Sequence, residues 1–167
     1  IIKSDNDSYQ IANRSYVPMV NKAITSIDLS VCDDAHIRLA LEGQKLFGFR
    51  REESLKFNLK EAYRGDFLDI KPSWTKGGIG RLIRIRTEEQ KQWIVKVHCL
   101  VKKGQSLIPP EKSYKQQLDH YKAVTAKLGL SNLHGLRHAY AQQQYRELTA
   151  YFDENKIFHD INNLDLL

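Results

Sequence analysis

The segment from Ala35 to Phe49 constrains this chain more than any other. Arg38, Glu42 and Lys45 recur at i, i+4 and i+7 and form one polar stripe, while Ile37, Leu39, Ala40, Leu41, Leu46 and Phe47 cover most of the remaining circumference. A helix with so narrow a polar stripe is largely buried, so the rest of the fold has to be built around it. Asp33-Asp34 supplies an acidic N-cap. Gly48 interrupts the pattern, and Arg50-Arg51-Glu52-Glu53 leads into a short helical turn through Leu55. A charge pair at such a corner sits close to the core. Glu53, one turn after Arg50, is placed to hold it by a charge-assisted hydrogen bond, either as a structural ion pair or as support for a functional arginine.

The character changes between residues 57 and 86. Tyr63-Arg64-Gly65-Asp66 reads as a turn. Phe67–Lys71 and Leu82–Arg86 read as two short strands, the second with clear alternation. Between them, Trp74-Thr75-Lys76-Gly77-Gly78-Ile79-Gly80 reads as a glycine-rich hairpin connection with Lys76 at a mobile tip. Thr87-Glu88-Glu89-Gln90 has the form of a capping box and predicts a helix to about Val101. Pro109-Pro110 breaks the chain, Ser113 caps a helix towards Leu128, and Gly129 ends it. The expected class is α+β, mainly α-helical with a small antiparallel β-hairpin.

Length and composition suit one domain: 167 residues, of which 41% are hydrophobic, enough for a real core. No apolar run approaches the roughly 20 residues needed to span a bilayer, and the polar start, Ile1-Ile2-Lys3-Ser4-Asp5, is no signal peptide. The net charge of +6 favours a polyanionic partner such as nucleic acid. Cys32 and Cys99 have neither metal nor redox spacing and are expected to be two buried, reduced thiols of a cytoplasmic protein. Residues 1–15 read as a linker or frayed end and 16–167 as the folded domain. The lack of an initiator Met fits a piece of a longer protein.

The last helix is expected from about Leu133 to Phe152. His134, Arg137, His138, Ala141, Tyr145, Leu148 and Phe152 fall on one face, predicting an apolar, buried lower part and a polar head at the helix N-terminus, where the dipole favours an anion. The arginine fork matches two phosphate oxygens, and a histidine one turn away can take or give a proton. Two arginines, a lysine and a histidine without a carboxylate cluster suit metal-free phosphoryl transfer, with cations stabilising the transition-state charge. Zinc is disfavoured, because His134-Gly135-Leu136-Arg137-His138 lacks the metalloprotease glutamate and no third ligand is evident. Lys76-Gly77-Gly78 is not a phosphate loop of the Walker type. Taken alone, Lys76 is most simply a solvated lysine, and Gln142-Gln143-Gln144 a solvated helix face.

In this order, three segments resemble the tyrosine recombinase family, and within it proteobacterial prophage integrases. Leu46-Phe47-Gly48-Phe49-Arg50-Arg51-Glu52-Glu53 is similar to the family's first box, Thr75-Lys76-Gly77-Gly78-Ile79-Gly80-Arg81 to its lysine hairpin, and His134-Gly135-Leu136-Arg137-His138-Ala139-Tyr140-Ala141 to its second box. The resemblance implies the recombinase catalytic-domain fold and a site made of Arg50, Glu53, Lys76, His134 and Arg137. It also implies DNA contacts from Arg50, Lys76, Arg81, His134, Arg137 and His138. The two arginines would hold the phosphate, Lys76 would protonate the leaving 5′ oxygen, His134 would assist proton transfer, and a tyrosine would attack to give a 3′-phosphotyrosyl link. Neither metal nor other cofactor is implied. The implied partner is double-stranded DNA, with the full-length protein oligomeric on it, the isolated domain monomeric, and no membrane association.

One departure stands out. The family carries a further His or Trp and then the nucleophilic Tyr, yet none of the 30 residues after Arg137 reads as that third box. Tyr140, Tyr145 and Tyr151 share a helix with Arg137, with Tyr145 expected in the core, and His159 lacks the expected neighbours. The expectation is a domain truncated before its nucleophile. The alternative is a non-catalytic DNA-binding module that retains the phosphate pocket.

Overall fold

The computed structural model describes residues 21–154 except Lys103. The expected linker over residues 1–15 and His159 lie outside the described residues. Six helices and two strands follow in order: α1 (Ala35–Phe47), α2 (Arg51–Lys56), α3 (Leu59–Ala62), β1 (Phe67–Ile70), β2 (Arg81–Arg84), α4 (Glu88–Leu100), α5 (Tyr114–Lys127) and α6 (His134–Glu154). The class is α+β and mainly helical.

α1 is buried for the reason its sequence gives. One side contributes Leu39 and Phe47 to a core that also holds Phe49, Phe57, Leu68, Ile70, Trp74, Trp93 and Leu107. The other contributes Ile37, Ala40 and Leu41 to a second core with Leu29, Cys32, Leu55 and Tyr121. The first core is aromatic: the Trp93 ring lies 5.1 Å from both Phe47 and Phe57, and its indole N–H donates to the Leu39 carbonyl at 3.0 Å, which pins α4 to α1. Asp34 caps α1 by accepting the Ile37 amide at 2.9 Å, and its other oxygen meets His120 Nε2 of α5 at 2.7 Å. The capping boxes at Thr87/Gln90 and Ser113/Gln116 form at the starts of α4 and α5. α3 had no sequence expectation: four residues carry no periodicity, and only the Asn58 cap starts it.

β1 and β2 pair antiparallel with Ile70 opposite Arg81. Their connection differs from a free hairpin tip. A 3-10 turn, Pro72–Trp74, places Trp74 in the aromatic core, 6.0 Å from Phe57, and Thr75 is buried beside it. Lys76 therefore emerges from an anchored stalk.

Two expectations are corrected. Cys99 is exposed, and only Cys32 is buried. The lower face of α6 is not in the core: Tyr145 is 70% and Leu148 43% exposed, and Ala141 is exposed as well. The helix is turned so that Gly135, Leu136 and the half-buried Tyr140 face the body of the protein. Two close approaches impose this rotation. Gly48, the left-handed C-cap of α1 at φ 60°, leaves no room for a Cβ beneath the Tyr140 ring. Gly135 is pressed against the backbone of Lys22 and the side chain of Ile24, and its carbonyl accepts the Ile24 amide at 3.0 Å. Phe152, also expected on the buried face, has a side chain outside the described residues.

Candidate functional site

The site is built on one buried carboxylate. Glu53 lies in the first turn of α2 with its side chain fully enclosed. It accepts the Arg50 amide at 2.7 Å and the Arg50 guanidinium at 2.9 Å, and both oxygens accept Arg81 at 2.7 Å. Burial by itself would raise the Glu53 pKa. The hydrogen bonds from Arg81, and then those from Arg50, outweigh it and hold the carboxyl at about 2. The corner is thus anionic at one point and cationic around it.

The Gly48 carbonyl is the second fixed point. It accepts Arg137 from α6 and, at 3.4 Å, Arg81 from β2. Arg50, Arg81 and Arg137 are consequently joined in one chain of contacts through Glu53 and Gly48. Burial first, and then the charges of Arg81 and Arg50, lower the Arg137 pKa, a sign of how closely the three cations are held.

Arg50, Lys76 and His134 line one cavity of about 710 Å³, which Arg51, Tyr114 and Lys122 also border. The Arg50 side chain is 42% exposed towards solvent although its carboxylate partner is sealed. Burial, followed by the charges of His138, Arg137 and Arg50, lowers the His134 pKa, which favours the neutral imidazole that can accept a proton. Arg137 does not line this cavity, because its guanidinium turns inward to Gly48. His138 packs edge to face on His134 at 4.8 Å and borders a different groove, between α6 and residues 21–31.

The first-turn amides of α6 are partly spent. Gly135 N–H donates to the Asn132 carbonyl at 2.8 Å and Leu136 N–H to the Leu133 carbonyl at 3.1 Å. Side chains rather than these two amides are left to recognise an anion at this helix start. Among the described residues no group of three His, Cys, Asp or Glu side chains is placed to hold a metal ion, and no helix is long and apolar enough to cross a membrane.

Of the residues expected at the site, Arg50, Lys76 and His134 meet around one opening, while Glu53 is sealed beneath Arg50 and Arg137 is turned to the Gly48 carbonyl. Arg81, expected on DNA, has its guanidinium on Glu53. Arg51 and Lys122 were not anticipated. They come from α2 and α5, and nothing in their sequence neighbourhoods signals that the two helices share a wall.

No curated protein and no solved structure gives a significant match. The integrase family model matches residues 10–143. With that match extending over most of its length and through the α1–α2 corner, the lysine stalk and the head of α6, the chain belongs to the integrase family, that of the phage integrases or tyrosine recombinases, and carries a domain of DNA integration and recombination.

Proposed function

We propose that this domain carries out the phosphate-holding part of metal-free phosphoryl transfer on double-stranded DNA. The observation that carries the reading is the sharing of Glu53 and the Gly48 carbonyl by three arginines beside an opening lined by Lys76 and His134. Arg50 offers the guanidinium edge not used on Glu53. Arg137 offers the N–H groups not used on Gly48. Together they neutralise the charge that grows on the phosphate oxygens in the transition state. Lys76 protonates the leaving 5′ oxygen, and neutral His134 passes a proton to or from the attacking group. Arg81 adds positive charge near the DNA backbone, and His138, packed on His134, contacts the DNA beside it.

None of Tyr121, Tyr140 and Tyr145 is placed to be the nucleophilic tyrosine. Tyr121 is buried, accepts a hydrogen bond from Gln44 and has its pKa pushed up to about 12, chiefly by burial. Tyr140 is packed beneath Gly48, with burial raising its pKa. Tyr145 is exposed eight residues along α6 from Arg137, about 12 Å at 1.5 Å per residue. These placements also favour a second reading: a DNA-binding module that keeps the pocket as a backbone clamp. In either case residues 16–167 form the domain and 1–15 lead into it. The domain is monomeric alone and part of an oligomer on DNA in the bacterial cytoplasm, with a prophage as its source.

The test uses random-sequence duplexes carrying 5′-bridging phosphorothiolates, which trap a covalent intermediate because the thiol released does not re-attack. This chain is expected to bind them in a salt-dependent way and to form no covalent adduct. An adduct mapped to Tyr140 or Tyr145 would overturn the assignment of the nucleophile. A chain that does not bind duplex DNA at low salt would overturn both readings.

A further inference from the structure

We propose that Arg81 is a positioning residue whose work is to occupy Glu53, so that Arg50 keeps its fork free for the phosphate. The inference rests on the phosphate-holding reading above and goes beyond it by giving Arg81 a role other than touching DNA.

The argument starts from the hydrogen-bond capacity of a buried carboxylate. Glu53 has two oxygens, about four acceptor positions, and all four are filled: Oε1 by Arg50 Nη1 at 2.9 Å and Arg81 Nη1 at 2.7 Å, Oε2 by the Arg50 amide and Arg81 Nη2, both at 2.7 Å. Arg81 makes the two-pronged pairing, and Arg50 gives a single side-chain N–H. That division is the reverse of what sequence proximity favours, since Arg50 lies one turn from Glu53 and Arg81 comes from another element. It leaves Arg50 with unspent donors beside the cavity. Arg81 itself is 26% exposed, against 42% for Arg50, and its second nitrogen is further engaged by the Gly48 carbonyl.

Removing Arg81 would empty one position on each Glu53 oxygen inside a sealed site, where an unfilled carboxylate is costly. Arg50 is the nearest cation able to fill them, and it would do so by rotating into a two-pronged pairing, away from the cavity. A lysine at position 81 keeps the charge but is a point donor without a planar fork, so it cannot reproduce the two-pronged pairing across both oxygens. Arg81 also begins β2, opposite Ile70 across the stalk that carries Lys76. The contact therefore fixes the lysine stalk to the arginine corner.

The test is duplex-DNA affinity of the whole chain for random 30-base-pair duplexes, with melting recorded for every variant and affinity read well below it. Arg81→Lys and Arg81→Gln are each expected to weaken binding about tenfold, the scale of one charge-assisted hydrogen bond. The double variant Arg81→Gln/Glu53→Gln is expected to bind more tightly than Arg81→Gln alone, because a neutral amide no longer draws Arg50 inward. The side-chain NMR signal of Arg50 is expected to shift in Arg81→Lys without DNA, a change that general loosening of the fold would not confine to one arginine. Arg81→Lys binding like the wild type, a double variant weaker than Arg81→Gln, or an unmoved Arg50 signal would overturn the proposal while leaving the phosphate site intact. Wild-type protein that fails to bind duplex DNA would overturn the underlying reading and this inference with it.

Discussion

The α1–α2 corner and helix α6 each bring one arginine to the site, but they hold it by different means. At the corner, Arg50 is tied to a fully enclosed carboxylate, and the neighbouring α1 is covered by a hydrophobic core on each side. In α6 only the head is docked: Leu136 is 1% exposed and Tyr140 is packed under Gly48, while Tyr145 and Leu148 face outward. Arg137 is held by a single backbone carbonyl. The corner is a fixed anvil and α6 a part laid against it. Charge placed by a buried network is rigid because every alternative leaves a polar group unpaired. Charge placed by one exchangeable bond can reorient when a better acceptor arrives.

Substitutions can break that comparison, and the largest effect belongs to the covered side. Trp93→Ala removes the ring that joins Phe47, Phe49 and Phe57 and the bond to Leu39. Chemical denaturation is expected to show a loss of about 3–5 kcal/mol. A loss below 1 kcal/mol would mean that the aromatic core does not hold the corner.

Next comes Arg137→Ala in a cleavage-competent longer protein. It is expected to slow DNA cleavage by about 10²–10³-fold, the scale for losing a preorganised donor to the developing charge, with little change in melting temperature because the arginine rests on one carbonyl. Unchanged cleavage in single-turnover assays would remove Arg137 from the reaction.

The carboxylate at the corner gives a smaller effect, visible in pH. The folded-state Glu53 pKa of about 2 lies below its ordinary 4.5. Its contribution is therefore fully present above about pH 4.5 and is lost as pH falls towards 2, on the order of 3 kcal/mol in total. Denaturation midpoints measured from pH 6 to 2 should fall less steeply in Glu53→Gln than in the wild type. Parallel curves would show that the network stores no such energy.

The smallest effect is expected at the free end of the comparison. Tyr145→Ser should change stability by no more than about 0.5 kcal/mol, as for other exposed positions away from a packed feature. A loss above 1 kcal/mol would show that this part of α6 is packed in solution.

Much of this was legible along the chain. The narrow polar stripe of α1, the Asp34 cap, the capping boxes at Thr87 and Ser113 and the two strands are local patterns, and each formed within a residue or two of its expected place. The pairing of Arg50 with Glu53 was readable because one helical turn separates them. The errors have a common cause. A periodic face on α6 indicates which residues share a side, and Tyr145 and Leu148 do share one. It does not indicate whether another element meets that side. Cys99 was misjudged for the same reason.

The sequence by itself therefore determined the elements, their caps, and the set of cations and one acid from which the site is drawn, because these depend on residues within a turn or two of each other. Tertiary structure alone decided how those groups are shared. Arg81 and Arg137 reach the corner from β2 and α6, 28 residues beyond Glu53 and 89 beyond Gly48, respectively. Only packing brings such distant donors to one buried carboxylate and one carbonyl, and the limited number of acceptor positions there decides which arginine is held and which stays free.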